Sequence, residues 1–370
     1  MSTKYSSGKK IIFVFLIFTV VCGLACSQQP IGQSNNLTGS SGSGTVSLLG
    51  KGASFPDPIY KKWVSEYGKV NPNIRIDYQS VGSGAGQKAL LDKTADFGAS
   101  DEAMSDEDLK KGDGEILHIP TVLGAVVITY NLADVKEPLK LSAETISDIY
   151  LGNIKKWNDE RIKKDNPNLT LPDTDILPVY RADSSGTSAV FTDFLSKTVP
   201  AWKEKVGANK QPSWITGVGT GAPRNDGVMG QVKQTPNSIG YVELTFAKAN
   251  NLPTAQIKNK AGNFVEASLE GVSAAAASSV GQMPEDLRVQ ITNAEGENAY
   301  PIASYTYILV YKNQPDAGKG KTLADFLWWA IHDGEKFTKD LHYAPLPTEI
   351  VKKAEAKINS MTAGGKPLRQ

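Results

Sequence analysis

Arg181-Ala-Asp-Ser-Ser-Gly-Thr-Ser188 brings a guanidinium, a carboxylate, four hydroxyls and a glycine into eight residues. Those groups suit a tetrahedral anion. Arginine supplies a planar pair of donors matched to two oxygens of one phosphoryl or carboxylate group. Val190, Phe191, Phe194 and Leu195 follow at i, i+1, i+4 and i+5, so the hydroxyls stand where a helix begins. There, unpaired backbone N–H groups and the positive end of the dipole meet an oxyanion. A plainer reading also fits this segment: Ser184 or Ser185 caps the helix, and Arg181 with Asp183 forms a local ion pair.

Two more segments repeat the pattern. Gly50-Lys-Gly-Ala-Ser-Phe-Pro-Asp-Pro58 places Ser54 and Phe55 just before prolines suited to a helix's first turn. Val81-Gly-Ser-Gly-Ala-Gly-Gln87 offers Ser83 among glycines that permit close backbone approach. It lacks the glycine spacing of a dinucleotide loop, and the chain has no Gly-Lys-Ser or Gly-Lys-Thr phosphate loop. Asp101 closes Asp96-Phe-Gly-Ala-Ser-Asp101. A carboxylate repels a fully ionised anion but accepts a hydrogen bond from one that carries a proton. Hydrogen phosphate carries such a proton and sulfate does not, and a site built around that bond can reject the analogue by roughly 10⁴. Alternatively, Asp101 caps a helix before Met104.

The elements that must position these residues alternate. Strands are expected at 45–50, 74–78, 96–99, 124–130, 176–180, 239–242 and 303–311. Helices are expected around Ile59 to Tyr67, over 86–92, after Ser105, over 143–151 and 156–164, after 225–227, and over 323–332 and 349–358. Ala274-Ala-Ala-Ala-Ser-Ser279 reads as a surface helix. This is an α/β pattern, in which ligands bind beyond the carboxyl ends of strands, where Ser54, Ser83 and Asp101 fall. No linker interrupts the chain after Thr45, which favours two hinged lobes over separate beads.

Lys4, Lys9 and Lys10 precede an apolar run from Ile11 to Ala25, too short for a bilayer span, so residues 1–25 read as a secretory signal. Gly23-Leu-Ala-Cys26 resembles a lipobox with glycine where leucine is usual, making Cys26 a candidate for lipid attachment. Simple cleavage is the alternative. Residues 26–45 are too polar to pack and are expected to form a tether. Loss of 1–25 takes the formal net charge from +1 to −2 and leaves Cys26 as the sole cysteine, so no intramolecular disulfide is available. Near-neutral charge and the lack of a basic stripe give no support for nucleic-acid binding. His118, His332 and His342 lie outside the candidate loops and read as packing or surface residues. The six tryptophans read as core or hinge residues.

In order along the chain, Gly-Ala-Ser-Phe-Pro at 52–56, Val-Gly-Ser at 81–83, Asp-Phe-Gly-Ala-Ser-Asp at 96–101, Asp-Ile-Tyr-Leu-Gly at 148–152, the segment 181–188, Asn-Asp-Gly at 225–227 and Gly-Tyr-Val-Glu at 240–243 resemble the phosphate-binding protein of the high-affinity phosphate ABC transporter. The resemblance runs from about Val46 to about Ile350. It implies a two-lobed type II periplasmic-binding-protein fold, with 46–121 and 300–370 in one lobe and 122–299 in the other. A single inorganic phosphate would be buried in the hinged cleft, and the closed form would dock on membrane permease subunits. Matched by motif, Ser54, Phe55, Ser83, Asp101, Arg181, Ser185, Gly186 and Thr187 would contact phosphate, and Asp183 would orient Arg181. Ser54 stands where threonine is common, Ser184 where glycine is common, and Gly84-Ala85 replaces a Ser-Gly pair. No cofactor, metal or catalytic residue is implied, and a monomer held extracytoplasmically is expected, touching the membrane only through an N-terminal lipid. The alternatives are a binder of sulfate or molybdate and a secreted phosphohydrolase, the latter weakened because no histidine base lies near the candidate serines.

Overall fold

The computed structural model describes residues 44–369; the signal segment, Cys26 and the tether up to residue 43 lie outside the described residues. Eight strands form the main sheet: β1 Val46–Gly52, β2 Ile74–Ser80, β3 Phe97–Ser100, β4 Ile116–Tyr130, β5 Leu177–Arg181, β6 Thr220–Ala222, β7 Ser238–Glu243 and β8 Ala303–Tyr311. Their spatial order is β2-β1-β3-β8-β4-β7-β5-β6. Strand β1 pairs in parallel with β2 and β3, and β5 pairs in parallel with β6 and β7. Two long antiparallel strands join these parallel groups. Residues Ile116 to Ala125 of β4 lie against β8, and Val126 to Tyr130 lie against β7. All fifteen residues of β4 are buried, as are eight of the nine in β8. Strands covered on both faces lose the alternation of half-exposed ones and become continuous apolar runs, and Val122-Leu-Gly-Ala-Val-Val-Ile128 has that character.

Helices cover both halves of the sheet. Helix α1, Asp57–Val70, turns Ile59, Tyr60, Trp63 and Tyr67 inward and presents Lys61, Lys62 and Lys69 to solvent. Helices α2 Ser83–Leu91 and α3 Gly186–Thr198 each begin just beyond a strand end that leads to candidate residues, and α4 Arg224–Gln234 begins just beyond β6. Helix α5, Leu269–Ala277, is the expected alanine-rich helix, yet Gly271, Val272, Ala275 and Ala276 are buried, not superficial. Its small side chains let it lie close on β4 and β8. The helix expected over 156–164 is shorter, Glu160–Asp165. Trp157 is buried with its indole N–H on the Asn237 carbonyl, and Lys156 bridges to Asp175, so those residues are held off the helical path. Strand β4 begins at Ile116 instead of Gly124. Pro120 within it sits beside a bulge, a position that tolerates proline.

Among the described residues no helix is long and apolar enough to cross a membrane. Trp63, Trp157 and Trp202 are fully buried, and Trp214, Trp328 and Trp329 are packed at the edge of the core.

Helix α2 lies flush on the sheet. A Cβ at Gly86 would fall 2.5 Å from the Gly52 Cα, 2.6 Å from the Lys51 carbonyl oxygen and 2.9 Å from that of Ala99. All three are backbone atoms, which cannot swing aside. Gly86→Ala is therefore expected to destabilise the fold by about 1–3 kcal/mol in urea unfolding. An unchanged midpoint would contradict the close approach.

Candidate functional site

Each of the eight residues matched to phosphate contact lies at the carboxyl end of a strand in the main sheet or in the first turn beyond it. Ser54 and Phe55 follow β1, Ser83 follows β2, Asp101 follows β3, and Arg181 ends β5 with Ser185 to Thr187 just beyond it. The structure brings these side chains together from both halves of the sheet. All of them are buried.

Arg181 is the centre of the second half. Its side chain is 1% exposed, and it donates from Nε and Nη2 to the two oxygens of Asp183, at 2.8 and 2.7 Å. The backbone around it is clamped by aromatics: the Arg181 N–H donates to the Tyr241 hydroxyl and the Trp214 indole donates to the Arg181 carbonyl. Tyr241 in turn stacks on Phe191 at 4.2 Å between centroids, which joins β7 to α3. With Nε and Nη2 occupied, Nη1 is left buried and without a protein partner. Asp183 also accepts from the Arg224 N–H at 3.1 Å. Burial raises its acidity constant's pKa, but the Arg181 hydrogen bonds and charge outweigh that and hold the carboxyl below the usual range. Ser185 does cap α3, accepting from the Ser188 N–H, and Arg181 with Asp183 is indeed an ion pair. Neither feature uses the free Nη1.

Asp101 faces this group from the first half. It is 1% exposed, and burial pushes its carboxyl up to about 7, against the opposing effects of the Thr306 hydrogen bond and the Arg181 charge. Its Oδ1 accepts from the Thr306 hydroxyl at 2.9 Å, and its Oδ2 lies 3.5 Å from the Ser83 hydroxyl. It caps no helix, since the short helix Asp106–Leu109 is capped by Ser105.

The hydroxyls are turned to donate. Ser54 Oγ accepts from both the backbone N–H and the side-chain amide of Asn225, at 3.1 and 3.0 Å, which fills its two lone pairs and leaves its proton to give. Ser83 Oγ accepts from the Gly186 N–H at 3.0 Å, and Thr187 Oγ1 accepts from the Asn225 amide at 3.2 Å. Phe55 has its ring against the Gly124 backbone, and its carbonyl accepts from the Tyr343 hydroxyl at 2.6 Å. The result is a ring of donors, Nη1 and hydroxyls, facing one carboxylate that accepts.

Direct contacts cross between the halves. Besides the Ser54–Asn225 and Ser83–Gly186 bonds, the Gly84 N–H donates to the Ser184 carbonyl at 3.1 Å, and Lys210 donates to Gln87 Oε1 at 2.7 Å and to Asp108 at 3.1 Å. A Cβ at Gly84 would sit 2.1 Å from Ser184 Oγ. The glycine at 84 and the serine at 184 are therefore one steric pair across the cleft.

Asn225, Ser304 and Thr306 are site residues that sequence reasoning did not single out. Asn225 is fully buried and ties Ser54, Thr187 and the Glu243 N–H together. Its signal was a carboxamide in the first turn of a helix after a strand. Ser304 and Thr306 are hydroxyls inside an otherwise apolar strand, which invites the question of their partner. The histidines lie elsewhere: His118 accepts from the Met104 N–H, and His332 bonds Glu355 and stacks on Trp328. Among the described residues, no group of three or more His, Cys, Asp or Glu is arranged to hold a metal ion.

Residues 39–332 match the PBP superfamily domain. The phosphate-binding protein PstS of Pasteurella multocida is 42% identical over 326 residues, spanning 87% of this chain and 93% of that protein. The phosphate-binding protein PstS of Methanocaldococcus jannaschii is 37% identical over 376 residues, 95% of each chain. Among solved structures, the phosphate-binding protein of Stenotrophomonas maltophilia superposes with a TM-score of 0.66 at 21% identity, covering 84% of this chain and 93% of that one. These likenesses make the fold a two-lobed type II periplasmic-binding-protein fold. By its domain match and by its identity to these relatives over most of their length, the chain belongs to the PBP superfamily and, within it, to the family of the phosphate-binding proteins PstS.

Proposed function

We propose that this chain binds one inorganic phosphate between its lobes and delivers it to the membrane permease of an ABC transporter. One observation carries the reading: the buried Nη1 of Arg181, unpartnered while Asp183 holds the other two nitrogens, together with a Ser54 hydroxyl whose lone pairs are already filled. A buried donor without a partner costs about 1–3 kcal/mol, and an anion oxygen relieves that cost. Ser54, Ser83, Ser185 and Thr187 with the N–H groups near Phe55 supply the remaining donors, and Gly186 holds Ser83 through its N–H. Asp101 accepts the proton that phosphate carries. Asp183 acts only through Arg181. The relatives' names, phosphate-binding protein PstS, agree with this chemistry.

Residues 46–121 and 300–370 make one lobe of this proposal and 122–299 the other. The protein works outside the cytoplasm, as a monomer, with residues 1–25 removed, 26–45 as tether and Cys26 as the point of lipid attachment. It is not an enzyme in this reading: a nucleophilic serine needs a base, and of the two carboxylates among these residues Asp183 is paired with Arg181 and Asp101 is given to the bound anion's proton. Sustained release of phosphate from a general ester by pure protein would overturn this.

Isothermal titration tests the reading directly. Phosphate is expected to bind with one site per chain, and Arg181→Ala to lose about 2–5 kcal/mol, the range for truncating one partner of a buried charge pair. A small loss would mean that backbone donors dominate.

Sulfate does not titrate between pH 5.5 and 8.5, so its pH dependence reports the protein alone. Asp101 gains a proton as pH falls through about 7 and can then donate to sulfate. Sulfate affinity is expected to rise on acidification in the wild type and to become flat with pH, and higher at pH 8, in Asp101→Asn. A flat wild-type profile would remove Asp101 from the site.

Closure depends on the Gly84–Ser184 pair. Gly84→Ser alone is expected to weaken phosphate binding at least tenfold by holding the lobes apart, and Ser184→Gly in the same chain to restore it. Additive losses in this cycle would show that the two residues do not meet.

A further inference from the structure

The two oxygens of Asp101 have unequal surroundings. Oδ1 points at β8 and takes the Thr306 hydroxyl at 2.9 Å, while Oδ2 has only a long bond, 3.5 Å, from the Ser83 hydroxyl, which itself accepts the Gly186 N–H. Ser304, two residues before Thr306 on the same face of β8, has its hydroxyl between the Tyr305 carbonyl at 2.8 Å and the Asp101 carbonyl at 3.2 Å. Strand β8 thus grips both the backbone and one carboxyl oxygen of Asp101.

A bulge makes this possible. In the β4–β8 ladder Thr306 pairs with Val122 and Tyr307 with Pro120, so Thr121 is the extra residue. Bulges re-aim side chains next to sites. The Thr121 hydroxyl donates to the Thr306 carbonyl at 3.2 Å and meets the Tyr60 hydroxyl of α1 at 2.7 Å. Thr121 is 3% exposed and Thr306 fully buried, so the array is sealed from water.

We propose that Thr306 is the residue that sets the selectivity of this site, by occupying Oδ1 so that Oδ2 alone is left to accept the proton of the bound anion. The inference rests on the phosphate-binding reading above. A hydrogen bond to the ionised form favours that form. Burial pushes Asp101 upward, and the Thr306 donor opposes it, keeping the carboxylate available as an acceptor near neutral pH. The other charged and titratable groups bearing on Asp101 are Arg181 from β5, Glu102 beside it, Glu243 at the end of β7, Tyr60 from α1, Tyr78 from β2, and Tyr343. None of the five besides Arg181 favours the ionised form.

Thr306→Val keeps the branched shape and removes the donor, whereas Thr306→Ser keeps the donor. Phosphate and sulfate affinities are measured from pH 6 to 9, together with the carbon-13 titration of the Asp101 carboxyl in ligand-free protein. The valine variant is expected to titrate at higher pH than wild type and to lose phosphate-over-sulfate preference at pH 8 by on the order of tenfold or more, the effect of one hydrogen bond to a charged group. The serine variant is expected to keep both properties. A folded valine variant with wild-type titration and wild-type preference overturns the proposal. Should it not fold, Thr306→Ala takes its place, and failure of both to fold while Thr306→Ser folds assigns Thr306 a structural role and overturns the selectivity role. Wild-type protein that binds no phosphate would instead overturn the functional reading itself.

Discussion

The site depends on an arginine buried with only part of its hydrogen-bonding capacity used. A guanidinium removed from water requires a counter-charge and partners for its N–H groups. Asp183 supplies the charge and two of the partners, and Tyr241 and Trp214 fix the backbone from which the side chain springs. The remaining nitrogen is aimed by this arrangement without being satisfied by it. Preorganisation of this kind lowers the conformational cost of binding, because the arginine needs no rotamer search when the anion arrives.

Selectivity follows from how polarity is distributed around that nitrogen. Hydroxyls can give or take, and here both lone pairs of Ser54 are filled by Asn225, so it gives. A fully deprotonated oxyanion meets many donors but also the Asp101 carboxylate. A protonated one satisfies both. Asn225 also makes the arrangement cooperative. It stands at the start of α4 and bonds Ser54 beyond β1, so a residue of one half of the sheet orients a hydroxyl of the other. In the proposed mode of binding, closure and the competence of the donor ring are a single event.

Much of this was legible in the chain. The strand-to-helix junctions at Ser54, Ser83 and Arg181 announced themselves through glycine, proline and hydroxyl placement, and the buried strand at 303–311 was readable as an apolar run. Local chemistry fixed those features. The partners of Asp101 were not legible, because Thr306 lies 205 residues away and reaches it only through a bulge that no local pattern encodes. Asn225 likewise acts across 171 residues on Ser54. The helix over 156–164 was overcalled because its lysines and apolar residues match helical spacing, whereas the burial of Trp157 overrides propensity. For α5, the alanine run carried no signal of which face would be covered. Gly84 and Ser184 looked like two separate departures from the resembled pattern, and only their contact makes them one compensated change.

The most direct test of the account is a crystal structure of the chain grown with phosphate at pH 8. The account predicts one phosphate between the lobes, with an oxygen at about 2.7–2.9 Å from Arg181 Nη1 and another at about 2.5–2.7 Å from Asp101 Oδ2, the spacings of charge-assisted hydrogen bonds. An anion bound elsewhere, or one that leaves Nη1 unpaired or meets Asp101 through Oδ1, would contradict it.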